Sequence, residues 1–281
     1  MNKKDIYLCA INNIQSGTCS EDCKFCTQAV IHKADIKRYK LKSTSRIIKE
    51  AIAAKQNKAV GYCLVTSTAF LDEKLLRFFC QTAKQLKKIV DINLIACSGI
   101  ANLSQLKQLK KAGFDSYNHN IETSENYYTN ICTAHSWSKR YDTCIDIKKA
   151  GLKLCSGGIF GLGENCQDRV DMVKVLKDLH INSCAINFYH PNDALPIKRN
   201  NISVDEAFDI IKYIKDELKH TKKIMVAGGR EYMFAHKQYE VFKYGANSIV
   251  IGDYLTTKGE QITKEIQTIQ NLGYNIKEVC D

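Results

Sequence analysis

Three thiols fall within eight residues, Cys19-Ser20-Glu21-Asp22-Cys23-Lys24-Phe25-Cys26, with the spacing C-x3-C-x2-C. Thiolates are soft ligands that suit zinc and iron–sulfur clusters. A closed site takes four protein ligands, so three leave one coordination position open. Zinc knots pair C-x2-C with a second such pair or with histidines, and this chain has no second C-x-x-C. An iron–sulfur centre is therefore the better reading. In a [4Fe–4S] cluster held this way, one iron is left for a small molecule to chelate.

Other chemically capable residues recur at intervals. Cys63, Cys97, Cys155, Asn187 and Arg230 fall inside or just after short apolar runs, as do Asn118, His119, Asn120 and Glu122. The elements that must position them alternate along the whole chain. Strands are predicted near 6–11, 59–65, 91–96, 116–119, 153–156, 183–188, 223–227 and 248–251. Helices are predicted near 45–55, 72–88, 103–112, 137–150, 168–179, 204–218 and 230–244, with a last helix near 259–272. Eight strands alternating with eight helices imply parallel strands with right-handed crossovers. The count favours an α/β fold of the closed (β/α)8 TIM-barrel type over an open sheet, and active sites of such barrels form at the C-terminal strand ends. Glycines at 113, 151 and 245 read as left-handed caps before strands.

Length and composition agree. The chain has 281 residues, and a (β/α)8 barrel takes about 250. Only two prolines occur and no low-complexity linker divides the sequence, so residues 1–281 read as one domain. No apolar run reaches the roughly 18 residues of a membrane span, and Met1-Asn2-Lys3-Lys4 opens no signal-peptide core. A cytoplasmic protein without a membrane partner is expected. There the 13 cysteines point to metal ligation or free thiols rather than disulfides. Besides the motif and the three strand cysteines, seven remain, such as Cys80 and Cys144, and these read as packing residues. The net charge of +11 comes from lysines spread over helix faces, the pattern of a solvated surface rather than a nucleic-acid footprint.

With these residues in hand, the chain resembles the biotin synthases of the radical S-adenosylmethionine superfamily. The matching strings are Cys19 to Gln28, Tyr117-Asn-His-Asn-Ile-Glu-Thr-Ser124, Cys155-Ser-Gly-Gly-Ile-Phe-Gly-Leu-Gly-Glu164, Ala227-Gly-Gly-Arg-Glu231, Gly245-Ala-Asn-Ser-Ile249 and Leu255-Thr-Thr257. The resemblance implies insertion of sulfur into dethiobiotin, a step at unactivated carbons that needs a radical. It implies that Cys19, Cys23 and Cys26 hold a [4Fe–4S] cluster that binds and cleaves S-adenosylmethionine. A second, sulfur-donating [2Fe–2S] cluster is implied at Cys63, Cys97, Cys155 and Arg230. S-adenosylmethionine contacts are implied at Phe25, Thr66, Glu122, Arg140, Gly157 and Ile159. Dethiobiotin contacts are implied at Asn120, Asn187, Thr256 and Thr257. The implied partners are an electron donor such as flavodoxin or ferredoxin and the iron–sulfur assembly machinery. Longer family members carry an N-terminal helical extension, whereas this chain starts close to its first strand, which bears on whether it forms the same homodimer. The basic segment 32–45 also differs and reads as a mobile loop over the site. The competing readings are another radical barrel, such as a hydrogenase cofactor maturase or a methylornithine-type mutase, and a basic iron–sulfur protein that binds nucleic acid. Iron and sulfide per chain separate the first from a biotin synthase, and salt-sensitive binding would mark the second.

Overall fold

The computed structural model describes residues 4–280; Met1, Asn2, Lys3 and Asp281, which the single-domain and N-terminal readings include, lie outside the described residues. Strands β1 (Asp5–Gln15), β2 (Ala59–Thr66), β3 (Asn93–Cys97), β4 (Ser116–Asn118), β5 (Lys153–Phe160), β6 (Ser183–Phe188), β7 (Lys223–Val226) and β8 (Ser248–Ile251) pair in that order, all parallel. β8 then pairs with β1, and β1 with β2, which closes the ring. A two-residue strand, β9 (Asn275–Ile276), adds to the start of β1.

Helices α1 (Thr44–Gln56), α2 (Glu73–Leu86), α3 (Leu103–Ala112), α4 (Glu125–Tyr128), α5 (Trp137–Lys149), α6 (Cys166–Asp178), α7 (Val204–Glu217), α8 (Arg230–Phe234) and α9 (Ile262–Asn271) follow the strands. Most of their starts carry side-chain caps: Ser43, Asp72 and Ser203 accept from backbone N–H groups, and Asn102 and Asn165 form capping boxes. Every residue of β2 is buried, as a strand with helices outside and a filled barrel inside requires. Outward residues such as Leu64, Leu94 and Ile186 join the helices in the main core, while Cys63, Ile95 and Asn187 face the interior. Among the described residues no helix is long and apolar enough to cross a membrane.

Three departures from the sequence reading have physical causes. The predicted helix 230–244 breaks after α8, because Ala235 takes a φ of 45° and two 3-10 turns follow. The break lets Phe234 pack against Phe188 and Phe208 while Val241 and Phe242 are also buried. Segment 32–45 is anchored rather than loose: Arg38 donates to Gly17 O (2.5 Å), and Lys42 to Asn12 Oδ1 (2.7 Å) and Glu50 (2.9 Å). Strand β5 runs on through Gly157-Gly158. A Cβ at Gly157 would lie 1.9 Å from Ala185 O on β6, and one at Gly158 2.3 Å from Met172 Sδ. Only glycines allow that approach. Gly157→Ala is expected to cost about 1–3 kcal/mol through overpacking against backbone, read as a lower urea midpoint at unchanged slope.

Candidate active site

The C-terminal ends of the strands enclose a cavity of about 470 Å³. Phe25 and Cys26 line it from the loop that follows β1, and Cys63, Cys97 and Cys155 line it from strands. Asn120, Glu122, Ile159 and Asn187 form its wall, with Thr256 and Thr257 at the rim.

The upper thiols depend on how that loop folds. Cys19 N donates to Gln28 O (3.3 Å), Val30 N to Cys19 O (2.9 Å) and Cys26 N to Cys23 O (3.0 Å). Gln28 Oε1 accepts from Ser16 Oγ (3.1 Å) and Gly17 N (3.0 Å), tying the loop to the end of β1. Lys24 N reaches Ile131 O (2.9 Å). Burial pushes the Cys26 thiol up to about 11, and the neighbouring Cys19 adds to the rise. A bound iron centre supplies positive charge and reverses that penalty. Three soft donors with mutual repulsion and no fourth motif ligand fit a cluster with one open iron.

The lower thiols come from three strands. Cys63 on β2 is hydrogen-bonded to Cys97 on β3; that bond, then burial, holds the Cys63 thiol well above its ordinary range. Cys155 on β5 is raised by burial and by the neighbouring thiols of Cys9, Cys184 and Cys97. Asn118 Nδ2 donates to Cys97 Sγ at 3.5 Å, while the buried Asn118 Oδ1 has no partner. This thiol-rich, carboxylate-free set also fits iron–sulfur ligation.

Arg230 is not brought to the lower thiols. Gly229, at φ 77°, turns the chain into α8 behind the sheet. The fully buried guanidinium donates to Gln238 Oε1 (2.7 Å), Glu231 Oε1 (2.9 Å) and the buried Glu265 carboxylate of α9. It does not line the cavity. The sequence reading placed it on iron; the structure commits it to an ion pair.

The remaining expected contacts divide. Phe25, Glu122, Ile159, Asn120, Asn187, Thr256 and Thr257 reach the cavity, whereas Thr66, Arg140 and Gly157 do not line it. Thr66 Oγ1 is paired with Ser98 Oγ (2.7 Å). The Gly157 carbonyl accepts from Ile121 N and Glu122 N, so it seats the Glu122 turn. Arg140 lies behind the wall, where it donates to Asn120 O (2.6 Å) and Glu122 Oε1 (3.0 Å). Burial raises the Glu122 carboxyl, and Arg140 pulls against that rise. Asn120 Nδ2 reaches Glu122 Oε2 (3.4 Å), but its Oδ1 is buried without a partner. The Asn187 amide is engaged with Gly158 O (3.1 Å) and Gly228 N (2.9 Å). Thr256 Oγ1 meets Thr27 Oγ1 at 2.9 Å, joining the cysteine loop to the loop after β8.

Sequence reasoning missed a buried group beside the upper thiols. Cys132 Sγ lies 3.6 Å from Cys23 Sγ and 3.6 Å from His135 Nδ1, and His135 Nδ1 lies 2.5 Å from Glu21 Oε2. The spacing C-x2-H was the available signal, but it falls in the irregular stretch between α4 and α5.

Comparison with known proteins gives the family. The profile described as "Radical SAM superfamily" matches residues 13–176, and that of the "Biotin and Thiamin Synthesis associated domain" matches residues 185–275. The biotin synthase of Aliarcobacter butzleri is 53% identical over 281 residues, covering 100% of this chain and 99% of its own. That of Sulfurovum sp. is 53% identical over 280 residues, covering 99% and 98%. Among solved structures, methylornithine synthase superposes with a TM-score of 0.82 at 14% identity, covering 97% of this chain and 84% of that one. The [FeFe]-hydrogenase maturase of Carboxydothermus hydrogenoformans gives 0.83 at 16%, covering 97% and 68%. Those two likenesses speak to the fold alone. Half the sequence is shared with the synthases end to end, and the thiols that open on one cavity lie within that shared length; the chain belongs to the biotin synthase family of the radical S-adenosylmethionine superfamily.

Proposed function

We propose that this chain, as one barrel domain, inserts sulfur into dethiobiotin to form biotin, with Cys19, Cys23 and Cys26 holding a [4Fe–4S] cluster and Cys63, Cys97 and Cys155 holding a [2Fe–2S] sulfur donor. The observation that carries it is one cavity lined by Cys26, from the loop after β1 that also bears Cys19 and Cys23, and by Cys63, Cys97 and Cys155 from strand interiors. When bound, the upper cluster with S-adenosylmethionine supplies a carbon radical able to take hydrogen from an unactivated carbon, and the lower one supplies sulfur. The chain's own residues bind, orient and exclude water.

Phe25 and Ile159 give the upper cavity apolar surface for the nucleoside, and Glu122 offers carboxylate oxygens to ribose hydroxyls. Arg140 pairs with Glu122 Oε1 and fixes the Asn120 carbonyl from behind. The orphan Asn120 Oδ1 is free to accept from a urea N–H, since an amide oxygen has two acceptor sites. Thr256 and Thr257 stand where a carboxylate tail leaves the cavity. Asn187, held by Gly158 O and Gly228 N, keeps one acceptor site on Oδ1 for the urea ring. By resemblance, a flavodoxin or ferredoxin supplies electrons and the iron–sulfur assembly machinery restores the lower centre, in the cytoplasm, with the chain working as a homodimer.

The test is anaerobic turnover of the reconstituted protein with dethiobiotin, S-adenosylmethionine and a reductant, after loading with isotopically labelled sulfide. Labelled biotin is the expected product. 5′-Deoxyadenosine without biotin would favour a different radical reaction. Within that assay, Asn120→Ala should weaken dethiobiotin binding by about 0.5–1.5 kcal/mol and leave S-adenosylmethionine binding nearly unchanged. Equal losses for both ligands would make Asn120 a structural residue only.

A further inference from the structure

With Arg230 withdrawn, the lower centre lacks a fourth ligand, because a [2Fe–2S] cluster takes four terminal donors. We propose that Cys9 supplies it, so that the centre is held by four thiolates from β1, β2, β3 and β5. This rests on the reading of Cys63, Cys97 and Cys155 as iron ligands.

Placement on the barrel carries the inference. Cys9 lies on β1, buried, and lines the same cavity as the other three thiols. Its sulfur occupies the space left by the missing side chain of Gly61, two residues before Cys63 on the adjoining strand: a Cβ at Gly61 would lie 3.1 Å from Cys9 Sγ. β1 and β5 are four strands apart in the ring of eight, so Cys9 and Cys155 face one another across the axis. The interior of an eight-stranded barrel is only wide enough for side chains to fill it. No strong bond holds the Cys9 thiol elsewhere. Ser248 Oγ, at 4.0 Å, already donates to Tyr7 O.

Other donors are less well placed. Cys184 belongs to the core between sheet and helices and does not line the cavity. Met225 does line it, but its neutral thioether is a weak acceptor. Cys9 must lose a proton to ligate iron.

The experiment uses the full chain with Cys19, Cys23 and Cys26 all changed to alanine, so that only the lower centre is read. It is reconstituted anaerobically with ferrous iron and sulfide, then assayed for iron and sulfide content, absorption and Mössbauer spectra. The parent should bind one [2Fe–2S] unit. Adding Cys9→Ala should lower affinity for the centre by about tenfold or more, since losing even an outer-shell partner costs that much. Cys9→Ser, which keeps size and fold, should retain iron with shifted charge-transfer bands, because oxygen replaces sulfur. Removal of the Arg230–Glu265 pair by Arg230→Met with Glu265→Leu should leave the spectra unchanged. The proposal is overturned if Cys9→Ala and Cys9→Ser match the parent while Cys97→Ala loses the centre, for then the cluster exists with another fourth ligand. If Cys97→Ala also changes nothing, the second centre itself is refuted, and this inference goes with it.

Discussion

Cys23→Ala is expected to abolish reductive cleavage of S-adenosylmethionine while the lower centre keeps its iron. The three motif thiols are the whole protein share of the upper site, so losing one leaves two donors for a cluster that needs three. The cost in cluster affinity should exceed the roughly 10–100-fold of an outer-shell change. The lower thiols come from strands that the loop does not help to form, so their spectrum should persist. 5′-Deoxyadenosine release and the residual absorption measure the two halves separately. A neighbouring thiol adds one check: Cys132 Sγ lies 3.6 Å from Cys23 Sγ, so the Cys23→Ala, Cys132→Ala double variant should be as inactive as the single. Activity in Cys23→Ala that the second change removes would show Cys132 standing in as a ligand.

Arg230→Met should be the most destabilising single change among those considered. It leaves the Glu265 carboxylate, fully buried, without its cation. Burial already pushes that carboxyl up to about 7 against the pull of Arg230. Breaking a buried pair from one side costs about 3–5 kcal/mol, whereas replacing both partners by apolar groups is often neutral or better. The double variant Arg230→Met, Glu265→Leu should therefore recover most of the lost stability in denaturant titrations. A single variant as stable as the parent would mean that Glu265 is tolerated as the neutral acid and the pair contributes little.

The sequence made the ring of strands legible because apolar strands alternate with amphipathic helices, most of them opened by a side-chain cap. It also marked the thiols: Cys63, Cys97 and Cys155 stand at strand positions that the pleat turns inward. Arg230 was misread for a reason no pattern could reveal. The string Gly228-Gly229-Arg230 fits a turn over the barrel mouth or a turn away from it, and the buried partners Glu265 and Gln238, distant in sequence or hidden in the broken helix, decide between them. Cys9 was hidden differently. A thiol inside an apolar strand looks like any packing residue until the register against Gly61 shows which face it takes. Glu21, Cys132 and His135 meet only because the loops after β1 and α4 fold against each other, a contact across more than a hundred residues.

The closure of the barrel has a consequence for the order of assembly. β1 leaves the ribosome first and meets its β8 neighbour last: Cys9 and Ser248, side by side in the finished protein, are 239 residues apart in the chain. Such distant pairing bears a large loop-closure cost and forms slowly. Until β8 is made, one edge of β1 stays unpaired and the strand thiols look out through an open seam. Once β8 docks and β9 adds beside β1, that seam is sewn shut, and Cys63, Cys97 and Cys155 are left facing the one cavity at the strand ends.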